Sequence, residues 1–232
     1  MTVHAATGAQ RQRLQDAAGQ LNLPLPDAVC DRLLSYLALL ERWNRVYNLT
    51  AVRDAAEMLE RHLVDCIAII GPLRRQMYTL GISEPRVLDV GSGGGLPGVV
   101  IACFEPAWSV DCVDAVAKKA SFIRQVALEV GLPRLRGLHS RVEALTDSHG
   151  LATSGYQLII SRAFASLAHF TEASSRLLAQ NGVWVAMKAK LAPAEMAELS
   201  SKVNMFHVEQ LQLPAIDADR CLVWMRTRVG PS

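Results

Sequence analysis

The chain has 232 residues, half of them hydrophobic and 20% charged. This composition supplies a globular core, excludes a mostly disordered chain, and suits one large domain or one domain with a small appendage. A net charge of +2 excludes a strongly basic tail as the means of holding nucleic acid, while a local basic patch stays open.

The segment MTVHAATGAQRQRLQ at the start has no apolar stretch of the kind a secretory signal needs. The longest apolar run, 98–104, is far too short to span a bilayer. Five cysteines, at 30, 66, 103, 112 and 221, form no C-x-x-C pair and are odd in number. They predict reduced, buried thiols, with neither a disulfide framework nor a metal site. A cytoplasmic protein without a membrane partner is expected.

Residues 1–84 read as a helical extension. Asp27 follows Pro26 and opens a segment with Val29, Leu33, Leu37 and Leu40 at helical spacing. A second helix is predicted from Asp54, where Asp54 and Glu57 resemble a capping box; Gly71-Pro72 should stop it. WNRVYNLT, 43–50, lies between the two as a connector. From Arg86 the pattern changes to alternating strands and helices, which implies a doubly wound α/β domain over 85–232. Strands are expected at 86–90, 109–113, 135–139, 157–161 and 183–188, with helices near 117–130 and 166–179. The first and fourth strands are almost wholly apolar, as strands covered on both faces are. Two closing segments, 203–213 and 220–228, lack a helix between them and predict an antiparallel pair at the sheet edge.

The loop after the first strand carries the strongest chemical signal. VLDVGSGGGLPG, 87–98, places four glycines in five positions between a strand and a helix. Glycine permits a sharp turn and lets a ligand reach the main chain. A phosphate-binding P-loop would end in Gly-Lys-Ser/Thr; Leu96-Pro97-Gly98 stands there instead. A dinucleotide pattern begun at Gly91 fails at Leu96, and one begun at Gly93 matches two residues late. The third pattern is that of S-adenosylmethionine: Asp89 in the first strand, Gly91, Gly93 and Gly95 in the loop, and Asp114 closing the second strand. A carboxylate there can accept from both ribose hydroxyls. Asp114 taken alone would also suit a helix cap.

Beyond the loop, WNRVYNLTAVRD (43–54), RHLVDC (61–66), LDVGSGGGLPG (88–98), SRVEAL (140–145) and ISRAFASL (160–167) occur in one order. Together they resemble the bacterial small-subunit ribosomal RNA guanine-N7 methyltransferases, the glucose-inhibited division protein B family. The resemblance runs from about Trp43 to Lys188. It implies a class I, Rossmann-like methyltransferase sheet, parallel with an antiparallel edge strand, behind an N-terminal helical extension; the cluster Arg45, Asn48, Arg53, Arg61 and His62 assigns RNA docking to that extension. It further implies S-adenosylmethionine as methyl donor and a guanosine in small-subunit ribosomal RNA, free or in an assembling subunit, as acceptor. Carried over by motif, Gly91 and Leu96 should contact the cofactor, Val142 and Glu143 should meet the adenine ring, and Arg162 should lie beside the methyl-transfer position. The family often has proline where Gly94 stands, and glycine there should loosen the turn.

Guanine N7 carries a free lone pair and no proton, so methylation there needs no general base. No Asp-Pro-Pro-Tyr or Pro-Cys element follows the fourth strand; Ser161-Arg162-Ala163-Phe164 does. No catalytic base is assigned. Arg162 can hold the cofactor carboxylate or an RNA phosphate, and Phe164 can stack on a base or join the core. Asn48 can meet a base edge or cap a helix. Arg53, Arg61 and His62 form a candidate phosphate-binding face or a solvated helix surface, and Lys188 can reach phosphate or lie along the sheet edge. Three other classes stay open on the residues alone: a small-molecule or protein methyltransferase, an NAD(P)-dependent oxidoreductase, and a non-catalytic ribosome-binding module.

Overall fold

The computed structural model describes residues 8–146, 154–162, 164, 166–214 and 219–228. Seven strands form one sheet in the order β3-β2-β1-β4-β5-β7-β6. They are β1 Arg86–Val90, β2 Ser109–Asp114, β3 Leu135–His139, β4 Tyr156–Ser161, β5 Leu178–Lys188, β6 Val203–Leu211 and β7 Arg220–Thr227. The first five pair in parallel, and β7 joins antiparallel to both β5 and β6. The expected antiparallel closure is present, and one of its strands lies inside the sheet rather than at its rim.

The helices are α1 Gly8–Gln20, α2 Asp27–Tyr47, α3 (55–67), α4 Ile70–Thr79, α5 Gly98–Phe104, α6 Ala117–Val130, α7 Leu167–Ser174 and α8 Pro193–Ala197. Helix α2 is amphipathic: Cys30, Leu33, Leu34, Leu37 and Leu40 recur three and four apart and are all buried. Helices α1 to α6 share one apolar cluster with a face of the sheet, where Leu14, Leu33 and Leu63 join Val87, Leu158 and Val185. The other face packs Leu88, Ile159 and Trp184 against Phe170 of α7. Helix α1, unread in the sequence, buries Leu14 and Ala17 in the first cluster.

Four local expectations need correction. The segment 43–47 is the last turn of α2, and the chain leaves the helix at Asn48, in the left-handed region at φ 48°. Gly71-Pro72 opens α4 instead of ending a helix; proline is tolerated in a first turn, whose amides lack partners anyway. The helix expected to 179 ends at Ser174, and β5 starts at Leu178. The last hairpin's first strand stops at Leu211. The Asp54 cap is present, its Oδ1 accepting from the Glu57 amide at 2.9 Å. All five cysteines are buried and unpaired.

One buried carboxylate interrupts β2. Asp111 receives Arg136 through two bonds of 2.6 Å, and the Tyr156 hydroxyl donates to the same Oδ2 at 2.6 Å. A buried charge survives only when paired and hydrogen-bonded, and here both conditions hold.

Candidate active site

Strand β1 pairs with β2 on one side and β4 on the other. The strand order therefore reverses at β1, and the carboxyl ends of β1 and β4 flank the crevice where open α/β sheets bind ligands. The glycine loop leaves β1 at this point, and Arg162 follows the end of β4.

Gly93 adopts φ +59° and Gly95 φ +93°, a region that residues with a Cβ enter at a cost. A Cβ on Gly93 would meet no protein atom within 4 Å, whereas one on Gly95 would fall 2.5 Å from Val99 Cγ2. Gly95 is thus required by the packing of α5, and Gly93 faces open space. Gly91 is also at positive φ, and Leu96 is buried behind the loop.

Asp114 closes β2 and holds the loop. Its Oδ2 accepts from the Gly93 amide at 3.0 Å, its Oδ1 accepts from Val116 at 2.8 Å, and Lys119 Nζ lies 3.6 Å from Oδ2. Asp114 is not the helix cap, since Val116 holds that position; its bond to the Val116 amide shapes the turn before α6, and each carboxylate oxygen keeps a second lone pair for a ligand. Asp89 is fully buried, and its Oδ2 accepts from the Gly98 amide at 2.8 Å. Burial raises its carboxyl to about 7, against the pull of that amide and of the Arg162 charge. Its Oδ1 has no hydrogen-bond partner among the described residues. A diol-sized acceptor at Asp114, a cationic group at Arg162, open space before Gly93 and an unsatisfied carboxyl oxygen behind the loop fit a small polar cofactor with an amino-acid tail and a ribose.

Val142 and Glu143 form a short helical turn after β3. Val142 is buried and Glu143 is half exposed, 3.5 Å from His169. Arg176 Nη2 donates to the Glu143 carbonyl at 3.0 Å and to that of Leu145, which holds this turn in place. Phe164 is half buried, edge-on to His169 at 5.1 Å.

The residues assigned to RNA divide into two groups. Arg53 is exposed and makes no ion pair among the described residues, and Arg61 is exposed beside Glu57 at 3.0 Å. Asn48 is exposed and ends α2, so its cap role is at a C-terminus. His62, by contrast, does not belong to a phosphate-binding face. It is buried, and burial together with the Arg162 charge lowers its pKa to about 4, so it carries no charge near neutral pH. Lys188 Nζ is engaged by Glu195 of α8 at 2.5 Å, which leaves it no unpaired charge.

Two residues missed in the sequence complete the site. The Tyr36 hydroxyl, on α2, donates to the Gly94 carbonyl at 2.7 Å. Asp65, buried on α3, lies 3.6 Å from Arg162 Nη1 and accepts from Arg220 Nε at 3.0 Å. Asp65 belonged to the RHLVDC segment, and an acid at helical spacing among apolar residues was the available signal.

Among the described residues no helix is long and apolar enough to cross a membrane, and no group of His, Cys, Asp and Glu could hold a metal. A family model described as GidB, rRNA small subunit methyltransferase G, matches residues 29–223. A Leptothrix cholodnii protein named Ribosomal RNA small subunit methyltransferase G is 52% identical over 94% of this chain and 96% of its own. One of the same name from Albidiferax ferrireducens is 54% identical over 93% and 96%. In fold, the ribosomal protein L11 methylase of Lactobacillus delbrueckii subsp. bulgaricus aligns at a TM-score of 0.51 and 14% identity, over 76% of this chain and 80% of that one. Glycine loop, helical extension and near full-length identity agree, and the chain belongs to the GidB family of small-subunit ribosomal RNA methyltransferases.

Proposed function

We propose that this chain transfers a methyl group from S-adenosylmethionine to N7 of a guanosine in small-subunit ribosomal RNA. The carrying observation is the convergence of the glycine loop, Asp114 and Arg162 at the reversal of strand order, in a chain that matches this family from residue 29 to 223. When bound, the cofactor supplies an electrophilic methyl on a sulfonium. Asp114 would accept from its ribose hydroxyls, the Gly91–Leu96 loop would hold its tail, and Arg162 would neutralise its carboxylate. Val142 and Glu143 would hold the adenine.

The acceptor needs orientation rather than deprotonation, because N7 bears no proton. His62 suits this reading. Its Nδ1 faces Arg162 Nη1 at 3.4 Å and its Nε2 faces Thr50 at 2.8 Å, so neither nitrogen is left to take a proton from substrate. Residues 1–84 serve RNA docking, with Arg53 and Arg61 on the phosphates, and 85–232 serve transfer. A role in the cytoplasm follows from such a substrate.

The test is a map of N7-methylguanosine in ribosomal RNA from cells with and without this protein, repeated in vitro with the purified chain and labelled cofactor. One guanosine should lose its methyl in the deleted strain and regain it in vitro. Identical maps would end the proposal.

A further inference from the structure

Arg162 follows the end of β4, yet among the described residues the groups beside its Nη1 come from the helical extension. Nη1 donates to the Arg61 carbonyl at 3.3 Å, faces His62 Nδ1 at 3.4 Å, and lies 3.6 Å from Asp65 Oδ2. Helix α3 widens to π geometry over Leu59–Val64, which brings these groups to one place. His62 Nδ1 thus faces the guanidinium while its Nε2 lies 2.8 Å from Thr50 Oγ1, so both ring nitrogens are engaged. Asp65 is in turn anchored to β7 by Arg220. The carboxylate separates two guanidinium groups that would otherwise repel.

We propose that Asp65 and His62 are positioning residues that hold Arg162 for the cofactor, so that the helical extension completes the cofactor site. The proposal rests on the cofactor role given to Arg162 above. Charged pairs with tight geometry lose most when one member is removed and the other stays buried. Asp65 therefore acts through Arg162, and its effect must vanish where Arg162 is already gone.

The experiment is calorimetric titration of S-adenosylmethionine into the full chain, as a double-mutant cycle of Asp65→Asn with Arg162→Gln. Asp65→Asn should raise Kd by about tenfold in the native background, within the range contacting pairs show, and by less than about twofold in the Arg162→Gln background. Asp65→Glu, which keeps the charge, should recover most of the affinity. Equal losses in both backgrounds would mean a merely structural role and overturn the proposal, as would native affinity in Asp65→Asn. Native affinity in Arg162→Gln would remove Arg162 from the cofactor site and the proposal with it, while leaving the methylation map untouched. Should Asp65→Asn fail to fold, His62→Leu, which spares the Asp65–Arg220 pair, enters the same cycle with the same expectation.

Discussion

The hydroxyl of Tyr36 donates to the carbonyl of Gly94 across 2.7 Å, and the two residues are 58 positions apart. The tyrosine is fully buried on α2, so this bond fastens the extension to the glycine loop. Tyr36→Phe keeps the packing and leaves a buried carbonyl without its donor. The expected cost is about 1–2 kcal/mol of folding stability, with a severalfold weaker cofactor affinity. Denaturant unfolding and calorimetric titration read the two effects separately; no change in either would make the bond incidental.

The glycines at 93 and 95 should fail differently. Gly93→Val places a branched side chain where the protein leaves open space and a ligand must approach, at φ +59°. It should fold with modest strain, about 1–3 kcal/mol, and lose cofactor binding. Gly95→Ala brings its Cβ 2.5 Å from Val99 Cγ2, so its loss should appear chiefly in thermal unfolding. Normal activity of Gly93→Val would reduce the loop to a connector.

Asp114→Ala is expected to weaken S-adenosylmethionine binding by about 1–3 kcal/mol. It frees the amides of Gly93 and Val116 as well as the ribose. Asp114→Asn retains one acceptor oxygen and should fall between the alanine variant and the native chain. Calorimetry on folded protein decides it, and equal affinities would take Asp114 out of the site.

For RNA, the double variant Arg53→Ala/Arg61→Ala removes two exposed cations. The Arg61 pair with Glu57 is solvent-exposed and contributes little to stability. The Arg61 carbonyl, which faces Arg162, stays in place. RNA binding should weaken and its salt slope flatten by roughly 1.4–1.8, two phosphate contacts' worth, while cofactor affinity holds. Isotherms at two salt concentrations that match the native protein would refute the docking face.

His62 makes stability depend on pH. Its folded pKa of about 4 lies below the ordinary 6.5 because it is buried and faces Arg162. The unfolded chain thus binds a proton that the folded one refuses. Stability from this group is complete above pH 6.5 and is lost as pH falls toward 4, by about 3 kcal/mol through linkage. His62→Gln should flatten that part of the profile. Melting temperatures of both proteins at pH 7 and 4.5 supply the comparison, and parallel profiles would contradict the buried, neutral histidine.

Residues alone were enough to give the strand–glycine loop–helix unit at 86–104, the order of the strands beyond Arg86, the antiparallel closing pair and the motifs that carry the family, though not helix α8 at Pro193–Ala197. These rest on short-range rules: which face a residue takes, where a turn needs glycine, where a helix is capped. Even there, proline after glycine at 71–72 misled, because its missing amide can mark a start as readily as a stop. Tertiary structure decided which polar residues met. His62 and Arg162 are 100 positions apart, and Asp65 and Arg220 are 155 apart. His62 sits beside an exposed arginine in sequence and was grouped with it, yet one helical step turns it from solvent to the interior. Periodicity identifies the buried face, but whether a histidine there is a cation or a neutral acceptor depends on the group it meets. Here burial and a guanidinium at the end of β4, the central strand of the sheet, together lower the pKa.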